Sequence, residues 1–172
     1  MSLDVAKLMK CLGSKHPIFH SEDDFRNELA KELANDLRER GLDPVILPEI
    51  PYELSRKRSD LWLPSLKIAI ELKYKTNPIS VVVGGEPFRL KAQSAQDEGR
   101  YSFLKDIERL EKFARTGDGR SGYAILLTND PSYWKEPSMI GWTKTMDADF
   151  RLHEGRSITG GNRSAICNVL LG

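Results

Sequence analysis

Residues 59–75 read SDLWLPSLKIAIELKYK, and the alternation within this stretch decides the fold. Two short apolar runs flank Pro64 and Ser65, the pattern of a tight β-hairpin. Successive strand residues point to opposite faces. From Leu66 onward one face carries Leu66, Ile68, Ile70, Leu72 and Tyr74, and the other carries Lys67, Ala69, Glu71 and Lys73. A turn centred on Ser65 and Leu66 sets Leu61 opposite Ile70 and Leu63 opposite Ile68, which collects the apolar side chains on one side. A slip of one residue would mix the faces, so the hydrophobic pattern fixes the register.

That register sets Asp60 opposite Glu71. Facing carboxylates repel unless something compensates them. A divalent cation held between them would do so, and an all-oxygen donor set suits Mg²⁺ or Mn²⁺. Lys73 lies on the same face as Glu71, where it would hold or polarise a water. The plainer alternative is a partly exposed sheet face on which Glu71 and Lys73 form a structural ion pair.

Working outward, SEDDFRNELAKELANDLRER (residues 21–40) is an amphipathic helix. Ser21 is its N-cap, acids fill its first turn, and Phe25, Leu29, Leu33 and Leu37 form its apolar stripe. At about 100° per residue, Glu22 projects nearly in line with Leu29 and Leu33, at the N-terminal end of that stripe. A helix-dipole acid at the edge of the core is the alternative role for it. A shorter helix is expected at the N-terminus, where Val5, Leu8, Met9 and Leu12 keep helical spacing.

An edge strand is expected from Val45, because Pro48 and Pro51 exclude a central one. After the hairpin, TNPISVVVGGEPF reads as an irregular surface connection with a flexible point at Gly84 and Gly85. A long helix is expected from about Arg89 to Ala114, with a break at Gly99 and an inward face of Phe103, Ile107, Leu110 and Ala114. Asp106 and Arg109, three apart, read as an intrahelical ion pair. Gln96, Asp97, Arg100 and Tyr101 form a polar run able to face a cleft. GYAILLTND predicts a buried strand over residues 123–128, and FRLHEGRSITG and AICNVLL predict a hairpin and a final strand. The fold class is therefore mixed α/β, with helices covering a central sheet.

The chain has 172 residues, enough for one domain with a real core. A net charge of +1 with 30% charged residues argues against a strongly basic coat protein but leaves room for a local basic cleft. The two cysteines, Cys11 and Cys167, lie near opposite ends and form neither a metal-ligand spacing nor a disulfide framework. The N-terminus is too charged for a signal peptide, and no apolar run approaches the roughly 20 residues of a membrane span. A cytoplasmic protein without membrane contact is the expectation.

Asp60, ten intervening residues, then Glu71, Leu72 and Lys73 resemble the core motif of the PD-(D/E)xK nuclease superfamily. Glu22 is similar to the acid that many members carry on the first core helix, and the element order over residues 21–128 resembles the core of that superfamily. Ser59 departs from the pattern, standing where the motif's proline would be, a position that supplies no ligand. The resemblance implies an α/β/α restriction-endonuclease-like core with a mixed central sheet, spanning residues 20–130 of a single domain. Residues 131–172 would be a β-rich extension. It implies that Asp60, Glu71 and the carbonyl of Leu72 bind Mg²⁺ or Mn²⁺, that Glu22 completes the shell, and that Lys73 orients the attacking water. The reaction implied is hydrolysis of a phosphodiester, with DNA as the substrate by family analogy. Arg56, Lys57 and Arg58 would attract the nucleic-acid backbone, and Lys91 and Gln93 would support the site from the next segment. A homodimer is left open as the assembly. The rival readings are a non-catalytic nucleic-acid-binding relative and a structural or protein-interaction domain.

Overall fold

The computed structural model describes residues 3–52, 57–93 and 95–133, with Asp97 described through its backbone alone, and the backbone of residues 157–159 and 164–166. Two helices come first, α1 (Val5–Lys15) and α2 (Glu22–Glu39). Three strands follow, β1 (Leu47–Pro51), β2 (Arg58–Leu63) and β3 (Ile68–Lys75). A separate hairpin, β4 (Ile79–Val83) and β5 (Glu86–Leu90), leads into α3 (Gln96–Arg115) and β6 (Ser121–Thr128). A short 3₁₀ turn, Pro131–Tyr133, comes next. Strands β7 (Ser157–Thr159) and β8 (Ser164–Ile166) pair antiparallel with each other, so the hairpin present joins the end of the first run to the start of the second, whereas the sequence reading placed a hairpin within the first run and a separate strand in the second. The rest of the proposed extension, Cys167 included, lies outside the described residues.

The central sheet has the order β1-β2-β3-β6, antiparallel throughout except for the parallel pair β3 and β6. Leu61 faces Ile70 and Leu63 faces Ile68, the register expected from the alternation. Every residue from Ile68 to Leu72 is buried because helices cover both faces of β3. On one face Ile68, Ile70, Leu72 and Tyr74 meet α1 and α2 through Leu8, Leu12, Phe25, Leu29, Leu33 and Leu37. Burying each of these large side chains contributes roughly 1.5–3 kcal/mol. On the other face Ala69 meets Leu110 and Phe113 of α3, with Tyr52 and Trp62 completing the cluster. The chain is thus mixed α/β with a mixed sheet between helices.

Local chemistry sets the ends of α2. The Asp24 N–H donates to Ser21 Oγ, and Asp24 Oδ2 accepts from the His20 N–H at 2.9 Å, a reciprocal cap. At the far end the Leu42 N–H donates to the Leu37 carbonyl and the Gly41 N–H to that of Arg38, which closes the helix in a Schellman motif.

Four further features differ from the sequence reading. Residues 79–90 form a regular hairpin rather than an irregular connection. Gly84 and Gly85 both take positive φ, +58° and +86°, as a two-residue turn of the right twist requires, and β-branched residues fill β4. The helix begins at Gln96, not Arg89, because Phe88 and Leu90 are buried with period two as part of β5. A short apolar run leaves the two periods indistinguishable. Gly99 does not break α3; the Tyr133 hydroxyl occupies the space its side chain would need. Strand β6 is half-buried rather than buried, lying at an edge of the four-stranded sheet.

Candidate active site

The site begins where two strands part. The β2–β3 register ends at Leu61 opposite Ile70. Beyond it the ladder to β3 stops, although the opposite edge of β2 stays paired with β1 through Ser59–Ile50 and Arg58–Pro51. The edge of β3 is left with N–H groups that a continued ladder would have taken, and buried N–H groups need partners. Two carboxylates supply them. Asp60 Oδ2 accepts from the Leu72 N–H at 2.7 Å, and Glu22 Oε2 accepts from the Tyr74 N–H at 2.8 Å. Asp60 therefore does not stand directly opposite Glu71 in a ladder. The strands separate there, and its carboxylate turns into the gap.

Glu71 and Lys73 project from the same strand toward α3. Glu71 is 2% exposed, and its Oε1 accepts from the Tyr52 hydroxyl at 2.6 Å. Arg109 Nε stands 3.5 Å from the same oxygen, too far for a hydrogen bond, and is buried without any other hydrogen-bond partner. The Arg109 guanidinium also binds Asp106 Oδ1. Asp106, only 1% exposed, carries Lys73 Nζ at 3.0 Å from Oδ2, an ion pair whose angles fall short of hydrogen-bond geometry. Glu71, Arg109, Asp106 and Lys73 thus form a chain of alternating charge between β3 and α3.

The electrostatics follow from burial. Burial pushes the Glu71 carboxyl up from 4.5 to about 7, assisted by the fields of Asp106 and Asp60 and opposed by the Tyr52 hydroxyl and Arg109. Burial works against the Lys73 ammonium, yet Asp106, with Glu22 and Asp60 behind it, leaves its pKa raised. Burial and the Glu71 carboxylate push the Tyr52 phenol upward. Glu71 therefore stands in the field of Asp60, and Lys73 in the fields of Glu22 and Asp60.

Among the described residues, no group of three or more His, Cys, Asp or Glu side chains stands in metal-holding geometry. As they rest, Glu22 and Asp60 face backbone N–H groups and Glu71 faces Tyr52 and Arg109. The donor chemistry nevertheless suits a hard divalent ion. With every carboxylate ionised, the four (Glu22, Asp60, Glu71, Asp106) against two cationic side chains (Lys73, Arg109) leave an excess of two negative charges.

The other residues named from the sequence lie around this centre. Lys57 and Arg58 are exposed, and Arg58 Nη1 donates to the Glu49 carbonyl at 3.1 Å. Arg56 lies outside the described residues. The Lys91 carbonyl accepts from Thr76 Oγ1 and the Gln93 N–H donates to the Thr76 carbonyl, which places both residues just past the end of β3 with exposed side chains. Gln96 and Arg100 turn away from the site, to Asp130 Oδ2 and the Ser132 carbonyl, and hold the segment after β6. Tyr101 is half exposed beneath Lys105.

Tyr52 and the outward reach of Asp106 and Arg109 were missed in the sequence. A signal existed for Asp106. It falls three after Phe103 and four before Leu110, on the apolar stripe of α3, where an unpaired acid would be expensive. The intrahelical pair expected there is present, and it extends to both Glu71 and Lys73. Compared with protein-family models, characterised proteins and solved structures, the chain matches none.

Proposed function

We propose that the chain is a metal-dependent nuclease with a restriction-endonuclease-like core, acting on DNA. The observation that carries this reading is the parted strand edge, where Glu22 and Asp60 from two other elements cap successive outward N–H groups of β3, flanking Glu71 and Lys73. Asp60, Glu71 and the Leu72 carbonyl would hold Mg²⁺ or Mn²⁺, with Glu22 completing the shell. Residue Leu72 directs its carbonyl to the same strand edge as its N–H, toward Asp60. Such an ion supplies polarisation of a phosphoryl oxygen and a lowered pKa for water.

The protein's own side chains do the rest. Lys73, held charged by Asp106, orients the attacking water and offsets charge developing on the phosphate. Lys57 and Arg58, exposed on the approach to β2, attract the phosphate backbone, with Arg56 beside them in sequence. Lys91 and Gln93 extend that surface past the end of β3.

The test is incubation with plasmid and linear DNA, with and without Mg²⁺ or Mn²⁺. Metal-dependent cutting by the wild type and its loss in Lys73→Ala are expected. Equal cutting by both proteins would point to another site.

A second reading draws support from one observation. The Glu71, Arg109, Asp106 and Lys73 chain is neutral by itself, as a purely structural network of an interaction domain would be. Divalent-metal binding that disappears in Asp60→Ala favours the enzyme, and its absence from the wild type favours the network.

A further inference from the structure

Arg109 occupies an unusual seat. Its Nε is buried and lacks a hydrogen-bond partner, yet it points its charge at Glu71 Oε1 from 3.5 Å. Its guanidinium is anchored at the other side to Asp106, and about a fifth of its side chain reaches the surface. Glu71 is a buried carboxylate, and a buried charge without a counter-charge is strongly destabilising. An Arg in loose contact therefore satisfies Glu71 by charge rather than by a tight directional bond.

We propose that Arg109 is a placeholder for the divalent cation: it neutralises Glu71 in the metal-free protein, and the ion displaces it. This inference rests on the metal site of the preceding reading. A cation bound by Asp60 and Glu71 would repel a guanidinium a few ångström away. Arg109 then leaves Oε1 while Asp106 keeps it tethered, and its exposed end gives it a path toward solvent. Asp106 stays buried and holds Lys73, so the displacement leaves the lysine in place. Arg109 is in this sense a positioning residue, setting the affinity and order of metal binding.

The experiment reads metal binding directly, without DNA. In the wild type, Ca²⁺ is titrated while the Arg Nε–Hε signals are followed by NMR, with Arg109 assigned from Arg109→Lys. The Arg109 signal should shift in step with binding; a signal unmoved at saturation overturns the proposal. Calorimetry with Mn²⁺ then compares Arg109→Gln and Arg109→Lys with the wild type. Removing the competing charge should tighten binding at least about tenfold in Arg109→Gln, with Arg109→Lys near the wild type. Affinity unchanged or weakened in Arg109→Gln, in a wild type that binds Mn²⁺ and cuts DNA, overturns the placeholder role and leaves the nuclease reading intact. A wild type that binds Mn²⁺ with these Arg109 effects but cuts no DNA supports the displacement and sinks the nuclease. A wild type that binds no divalent ion overturns both.

Discussion

The Leu72 N–H donates to Asp60 Oδ2 at 2.7 Å, so a side chain from β2 replaces the backbone acceptor that β3 loses when the strands part. One carboxylate thereby has a structural duty and a proposed chemical one, and substitutions can separate them. Asp60→Asn retains an acceptor for Leu72, whereas Asp60→Ala leaves that N–H without its partner. Asp60→Ala should lose about 1–3 kcal/mol of stability by urea denaturation and Asp60→Asn clearly less. Both should lose divalent-metal affinity. Equal stability losses would show that the hydrogen bond does not hold the strand edge.

Asp106 is the hub of the buried charges. Asp106→Ala strips both Lys73 and Arg109 of their counter-charge and should destabilise the protein by about 3–5 kcal/mol, as for other broken buried pairs. Adding Lys73→Met to Asp106→Ala should recover part of the loss, because one orphaned charge is removed with its partner. A double-mutant cycle in urea measures the coupling. Strict additivity would mean that the 3.0 Å contact contributes nothing.

Glu71 makes the metal-free protein pH-sensitive in a direction opposite to that of most carboxylates. Its pKa is raised from 4.5 to about 7 by burial, so between these values the folded protein keeps a proton that the unfolded chain has lost. Stability should fall as pH rises through that window, by at most about 1.4 kcal/mol per unit, and level off above it. Thermal melts of wild type and Glu71→Gln from pH 4.5 to 7.5 isolate this contribution as their difference. Saturating Mg²⁺ should reverse it, because the ion requires the ionised carboxylate. A difference that is flat with pH, with and without Mg²⁺, would contradict the burial of an ionisable Glu71.

His20, just before α2, contacts the β4–β5 hairpin through Glu86 and Phe88. His20 Nε2 lies 2.9 Å from Glu86 Oε1, and its ring stacks on Phe88 with centroids 4.2 Å apart. His20→Ala should raise amide hydrogen exchange across residues 79–90 with little effect on β3, the central strand. Uniformly faster exchange in both would mean that His20 supports the whole fold rather than the hairpin.

Much of this arrangement was legible in the sequence, for reasons that can be named. The period-two pattern of residues 61–74 allows one register without mixing faces, and that register is present. The helical phase of Glu22 placed it beside the core, where it caps Tyr74. What stayed hidden depends on tertiary context. No local pattern in β2 announces where its ladder with β3 stops, since its other edge stays paired with β1 past that point. The reach of Asp106 across to Lys73 required knowing which face of the sheet α3 covers. The hairpin at residues 79–90 was missed because short valine runs beside two glycines suit a loose connection as well as a tight turn.

The central claim is that Asp60 and Glu71 share one divalent ion. Anomalous diffraction from crystals soaked in Mn²⁺ tests it most directly. The expected result is a single peak roughly 2.0–2.3 Å from an oxygen of each carboxylate, with Arg109 moved off Glu71. Full Mn²⁺ in the soak with no peak between the two residues, Asp60 still on the Leu72 N–H and Arg109 still on Glu71, would contradict it.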